Sequence, residues 1–155
     1  MLGICGGYQM LGSQISDQVE SGTGLAPGLD LLPVRVRFAA DKVLGRPNGE
    51  WRGHPVSAYE IHHGVAEVTG GEPFLDGCRV GAVWGTMWHG ALENDEFRRA
   101  WLAEIAAITG APWRPAEGVP GYADRREAMI DTLADALESH VDLGLLLAGT
   151  VVGPA

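Results

Sequence analysis

Apolar positions gather at the very start of the chain. Residues 1–4 read as a short buried strand that runs straight into Cys5-Gly6-Gly7, with a helical turn through Tyr8, Gln9, Met10 and Leu11. Residues 13–28 are rich in Ser, Gly and Asp and read mostly as loop. Over 31–38 the pattern alternates. Val34, Val36 and Phe38 fall on one face and Arg35 and Arg37 on the other, the mark of a half-buried strand. Residues 41–55 carry Gly, Pro and Asn and read as a surface excursion. Strands are predicted over 56–61 and 80–87, the second ending at Trp88-His89-Gly90.

The period then changes from two to helical. Phe97, Trp101, Ile105 and Ile108 share one face of a helix starting at Asn94 or Asp95, and Gly110 and Pro112 stop it. Residues 111–121 read as a linker. A second amphipathic helix is predicted over 122–141, with Met129, Leu133 and Leu137 inward. Strands first and helices last place the chain in the α/β class. One domain is expected over 1–141, with no internal repeat. Residues 142–155 form an apolar tail, loose or docking and a candidate for disorder, shorter than the ~20 residues a bilayer span requires.

Composition narrows the function classes. The 155 residues are 46% apolar and 20% charged, an ordinary globular balance. A net charge of -9 with no basic stripe argues against nucleic acid as a partner. The two cysteines, Cys5 and Cys78, have neither CxxC spacing nor a zinc-like His cluster. No disulfide framework is expected, and a reducing cytoplasm is. The first residues lack the basic and apolar regions of a signal peptide, and no membrane partner is expected.

Three segments carry candidate chemistry. Gly3-Ile4-Cys5-Gly6-Gly7 has the form of a nucleophile elbow between strand and helix. The flanking glycines permit a sharp turn, and the helix N-terminus favours an anion there. A buried structural cysteine in a Gly-rich turn remains the alternative on these five residues alone. Gly85-Thr86-Met87-Trp88-His89-Gly90 follows a strand and offers His89 as base and proton shuttle. Taken alone, a satisfied loop histidine is the simpler reading. In Tyr59-Glu60-Ile61-His62-His63-Gly64, an extended backbone sends His62 and His63 to opposite faces, so no metal site is expected. Glu60 and His62 would share a face. Cys78 reads as structural, and the acidic run 93–96 as a helix N-terminus.

Together these segments resemble a known family. ICGGYQMLG around Cys5, the Gly28-Leu29-Asp30-Leu31-Leu32-Pro33 run, YEIHHG, and WGTMWHG followed by ENDEFRR are similar to the class I (triad-type) glutamine amidotransferase domain of cobyric acid synthases. Four ordered motifs over roughly residues 2–102 are far more specific than any one. The resemblance implies a flavodoxin-like sheet with flanking helices, incomplete at its N-terminus. It implies glutamine hydrolysis through a cysteinyl thioester, with Cys5 as nucleophile, His89 as general base and acid, and the Gly6 N–H as an oxyanion donor. Many class I relatives carry a Glu two residues after the histidine. Here that position is Ala91, as in the cobyric acid synthase subgroup, and Glu60 is an accessory candidate.

The resemblance further implies that ammonia serves ATP-dependent amidation of cobyrinic acid a,c-diamide carboxylates in cobalamin synthesis. The corrinoid, ATP and magnesium would belong to a synthetase domain absent from these residues, and this chain itself would need no cofactor. Upstream strands and a second oxyanion donor would be absent too, so weak stability and little activity are expected of the chain alone. Two other readings stand beside this one. One is the glutaminase subunit of a lipid II isoglutaminyl synthase; the other is a non-catalytic truncated remnant.

Overall fold

A computed structural model describes residues 1–148. The chain divides into two compact units, Met1–Pro115 and a second that begins at Ala116. In the first unit, β1 (Leu2–Ile4) leads into α1 (Gly6–Leu11), followed by β2 (Gln14–Asp17), β3 (Gly24–Pro27) and β4 (Val34–Gly45). Then come β5 (Asn48–Trp51), β6 (His54–Ser57), β7 (Glu60–Val68), β8 (Glu72–Phe74), β9 (Gly77–Val80), β10 (Val83–Thr86) and α2 (Asp95–Thr109). The second unit holds α3 (Tyr122–His140) and α4 (Leu143–Ala148). No helix among the described residues is long and apolar enough to cross a membrane.

The strands form two four-stranded sheets and a hairpin. The first sheet has the order β1-β10-β9-β8, the second β3-β2-β4-β7, and β5 pairs with β6 alone. In the first sheet β1 runs parallel to β10, in the register Leu2↔Trp84, Gly3↔Gly85 and Ile4↔Thr86, while β10, β9 and β8 are antiparallel. That one parallel pair matters for the chemistry. It puts the carboxyl ends of β1 and β10, and the loops that leave them, at the same edge of the sheet.

Two apolar clusters hold the unit together. Trp51, Val56, Phe74, Trp84, Phe97 and Trp101 join α2, the first sheet and the β5–β6 hairpin. Its aromatic rings meet edge-on, as in Trp51 with Phe97 at 5.9 Å and Trp84 with Trp101 at 5.8 Å. Each such pair adds about 0.5–1.5 kcal/mol beyond area burial. The second cluster joins α1 to β4 through Tyr8, Leu11, Leu32, Val34, Val36 and Met87. Glu104 on α2 bridges Arg79 at 2.8 Å and Arg52 at 2.6 Å, and these cations, Arg79 foremost, hold its carboxyl below the usual range.

The alternating segment behaves as expected: Val34 and Val36 are buried and Arg35 and Arg37 exposed. Elsewhere the structure corrects the sequence reading. Residues 13–28 hold β2 and β3, paired from Gln14↔Pro27 to Asp17↔Gly24. The Asp17 carboxylate then accepts the N–H groups of Val19, Glu20 and Ser21 and closes the turn between them. The supposed excursion over 41–55 contains the end of β4 and the β5–β6 hairpin, anchored by the buried Trp51. The predicted strand over 56–61 is broken after Ser57, and that over 80–87 is two strands joined by a turn at Gly81. On α2, Phe97 and Trp101 are buried, but Ile108 is 44% exposed because the helix outruns its core before Gly110 ends it.

The boundary expected at 141 differs from the break in compaction, which follows Pro115. The proline- and glycine-bearing stretch read as a linker is what separates the two units. Helix α3 forms where predicted, yet Met129, Leu133 and Leu137 are 56%, 58% and 54% exposed. Helical periodicity identifies an apolar face; it does not supply something to cover it. In the apolar tail, Leu143–Ala148 is helical, and residues 149–155 lie outside the described residues.

Candidate functional site

Cys5 sits at the turn from β1 into α1 with φ 49 and ψ -113, a positive φ that side-chain-bearing residues avoid. Such strain costs roughly 1–3 kcal/mol and persists only where the surroundings impose it. Here they do. The Cys5 N–H donates to the Thr86 carbonyl at 2.9 Å, while the Cys5 carbonyl accepts the Gln9 N–H at 3.0 Å and starts α1. Gly3 is required by packing, since a Cβ there would lie 2.6 Å from Leu11 Cδ1 and 2.8 Å from the Gly7 backbone. The thiol is half-buried, and the Gly6 N–H donates to no acceptor among the described residues.

His89 lies three residues beyond the end of β10, the strand that receives the Cys5 N–H. Its main chain forms a two-residue antiparallel bridge with Tyr59: Tyr59 N–H to His89 O at 3.0 Å and His89 N–H to Tyr59 O at 2.9 Å. The two rings stack, with centroids 4.9 Å apart and planes 13° from parallel. His89 Nε2 is buried and has no hydrogen-bond partner among the described residues. The fold thus brings Cys5 and His89 to one sheet edge and leaves a ring nitrogen of His89 uncommitted. Ala91 is 3% exposed within the apolar core, so position 91 offers no carboxylate to that ring.

Glu60 is not brought to His89. Its carboxylate faces His62 Nε2 at 3.9 Å. The two adjacent histidines do diverge. His62 Nδ1 pairs with the Gly64 carbonyl at 2.8 Å and His63 Nδ1 with the Ala39 carbonyl at 3.0 Å. Among the described residues, no three His, Cys, Asp or Glu side chains gather as a metal site would require. Cys78 is 1% exposed, and burial pushes its thiol up, away from the reactive anion.

Three contributors escaped the sequence reading. Gln9 is 7% exposed, its amide directed at Met87 Sδ and pressed against Gly64, where any Cβ would fall 2.5 Å from Nε2. Beside it a cavity of about 360 Å³ opens next to the elbow, lined by Gly6, Gln9, Met10, Ile15, Asp17 and Phe38 among others. Asn94 caps the loop ahead of α2. Its side chain accepts the Ser57 N–H at 3.0 Å and donates to the Ser57 carbonyl at 2.8 Å. The sequence reading took residues 93–96 only as the N-terminus of a helix.

The third is Asp76, read from sequence as part of a turn. Its carboxylate accepts the Thr86 hydroxyl and the Met87 N–H, the latter at 3.1 Å to both oxygens, and so fixes the end of β10. Desolvation raises its pKa, against the lowering by Thr86 and Met87. The residue as a whole keeps surface open to water. A carboxyl raised in the folded state contributes stability that is complete below the unfolded value of ~3.9 and is lost as pH rises through the folded value. The stability margin of the parent over Asp76→Asn is therefore expected to shrink as pH rises above ~4 and then level off. Urea midpoints across pH check this. A margin that grows with pH would mean that the hydrogen bonds, not desolvation, control the group.

The sequence profile of the CobB/CobQ-like glutamine amidotransferase domain matches residues 1–97. A cobyric acid synthase of Streptomyces avermitilis is 60% identical over 146 residues, covering 94% of this chain and 29% of that protein. The Streptomyces coelicolor cobyric acid synthase is 59% identical over the same shares, and that of Cutibacterium acnes is 56% identical over 95% of this chain and 31% of its own length. The chain spans about three tenths of the curated relatives it matches.

Proposed function

This chain belongs to the CobB/CobQ-like glutamine amidotransferase domain family, and from that premise we propose that it is the glutaminase portion of a cobyric acid synthase, with Cys5 as its nucleophile. The observation that carries the assignment of Cys5 is its strained backbone. A non-glycine residue at φ 49, held by Thr86 at the turn from strand to helix, supports reading this turn as a nucleophile elbow. A structural cysteine has no need of that strain, and Cys78, buried at φ outside the positive region, does not have it.

The reaction balances with the residues present and water. His89 takes the proton of the Cys5 thiol, and the sulfur attacks the carboxamide carbon of glutamine. The oxyanion that forms faces the free Gly6 N–H. His89 returns the proton to the nitrogen, the C–N bond breaks, and ammonia leaves a thioester on Cys5. Water, deprotonated by His89, then displaces the sulfur, which recovers the proton as glutamate departs. The cavity beside Gly6 and Gln9 is large enough for an amino acid substrate.

The ammonia is proposed to serve ATP- and magnesium-dependent amidation of corrinoid carboxylates, carried out in a synthetase portion. The cobyric acid synthase relatives support that reading over a lipid II amidating one, because they match nearly all of this chain at 56–60% identity. No corrinoid, nucleotide or metal role is assigned to residues here.

A chloromethyl ketone analogue of glutamine tests the site. Cys5 sulfur should displace its chloride, and intact-mass and peptide analysis should find the adduct on Cys5 with Cys78 unmodified. Added glutamine should protect. Equal and slow labelling of both cysteines would remove the basis for the assignment and favour a non-catalytic chain.

A further inference from the structure

Among the described residues no carboxylate pairs with the histidine of the site, yet its ring is held. Position 91 points into the apolar core, and Glu60 faces His62 instead. What touches the His89 imidazole is the Tyr59 ring, stacked within 13° of parallel at 4.9 Å, on a residue bonded to His89 through both main-chain groups. The segment carrying Tyr59 is itself fixed from the far side. Two residues earlier, Ser57 is clamped through its N–H and its carbonyl by the Asn94 side chain, which also donates to the Ala91 carbonyl at 2.9 Å. Ala91 and Asn94 flank the turn that follows His89. One amide side chain therefore ties the strand break at 58–59 to the loop that carries the histidine.

We propose that Tyr59, braced by the Asn94–Ser57 clamp, is the positioning residue of His89, doing by face-to-face stacking what a carboxylate does by hydrogen bonding in a triad. The inference rests on the reading of Cys5 and His89 as nucleophile and base. A carboxylate fixes an imidazole by bonding one ring nitrogen. A stacked ring fixes the plane of the imidazole and covers one face, and leaves both nitrogens free for proton traffic. It also places an electron-rich ring face against the imidazolium that exists while His89 holds the thiol proton. The Tyr59 hydroxyl is not part of this argument, since the residue is 49% exposed and its ring supplies the contact. Phenylalanine should therefore serve, and a branched aliphatic side chain should not.

The experiment compares the full chain with Tyr59→Phe, Tyr59→Leu and His89→Gln, each treated with the chloromethyl ketone analogue. The rate of Cys5 alkylation is read against analogue concentration. Tyr59→Leu is expected to lower the limiting rate about tenfold, a fraction of the ~10²–10⁴ a positioned base supplies, with half-saturation unchanged. Tyr59→Phe should alkylate at the parental rate. In parallel, NMR of the parent should show the His89 ring protons shifted upfield by the Tyr59 ring current, with that shift kept in Tyr59→Phe. Unshifted His89 ring protons in the parent overturn the proposal whether or not any variant folds. Parental alkylation by Tyr59→Leu, with His89→Gln slowed, overturns the positioning role alone. Parental alkylation by His89→Gln overturns the assignment of the base, and the proposal with it.

Discussion

Substituting Cys5 by serine is expected to lower glutamine hydrolysis by about 10³-fold or more, while leaving fold and glutamine affinity close to the parent. The size follows from what a nucleophile is within a cooperative set. In hydrolases of this logic, loss of the attacking atom disables the base and oxyanion donor that act on it, so most of the chemical rate goes at once. The specificity follows from the backbone. Serine keeps the Cβ and differs by one atom, so the φ of 49, the bond to Thr86 and the start of α1 survive. Binding is assigned in this proposal to the cavity beside Gln9 and Met10, whose lining does not include Cys5. The companion variant Cys78→Ala should hydrolyse glutamine at the parental rate and show only the stability loss of a trimmed core. Steady-state glutamate release, with calorimetric binding of glutamine, separates these. A Cys5→Ser protein retaining a tenth of parental hydrolysis would end the thioester mechanism.

How far this site could be read from the chain alone depends on which kind of information each residue carries. Cys5 and His89, the proposed nucleophile and base, were singled out by a Gly-flanked turn after an apolar strand and a histidine just past one, signals that became specific only together with the other ordered motifs. Core positions Val34, Val36, Phe97 and Trp101 were legible from period. The β5–β6 hairpin was not. Asn, Gly, Glu and Pro read as loop, and the pairing is imposed by Trp51 entering a core built from residues far along the chain. Residues 13–28 were misread for the same reason, since β2 and β3 are four residues each and partly exposed, with Gly and Pro at the ends of β3. Tyr59, Asn94 and Asp76 act through partners 30, 37 and 10 or 11 residues away. No window of sequence spans most of those separations. YEIHHG was conspicuous as a motif, but its histidines drew the eye, and the structure gives the contact with His89 to its tyrosine.

Gly85 shows how tightly the same site depends on packing. Placing alanine there is expected to destabilise the first unit by about 3 kcal/mol, the upper end of the range for overpacking a core. Gly85 is central in β10, between β1 and β9, and a Cβ at that position would overlap the Tyr8 ring and stand 2.7 Å from Leu32 Cδ1. Both neighbours have little room to withdraw. Tyr8 is 0% exposed and Leu32 is 2% exposed, and both belong to the cluster that seats α1. The strand cannot move away either, since Gly85 pairs with Gly3 on one side and Cys78 on the other. The remaining escape is for Tyr8 to shift, and Tyr8 lies on the first turn of α1, three residues from Cys5. The loss should therefore have two parts: a lower urea midpoint, and slower alkylation of Cys5 in the protein that remains folded. Trimming the opposing ring gives the decisive comparison. If the overlap is the cause, Gly85→Ala should cost much less in a Tyr8→Leu background than in the parent, a coupling that double-mutant analysis reads directly. Additive losses would mean that the glycine is needed for its own backbone conformation, and that the seating of α1 on β10 tolerates the extra carbon.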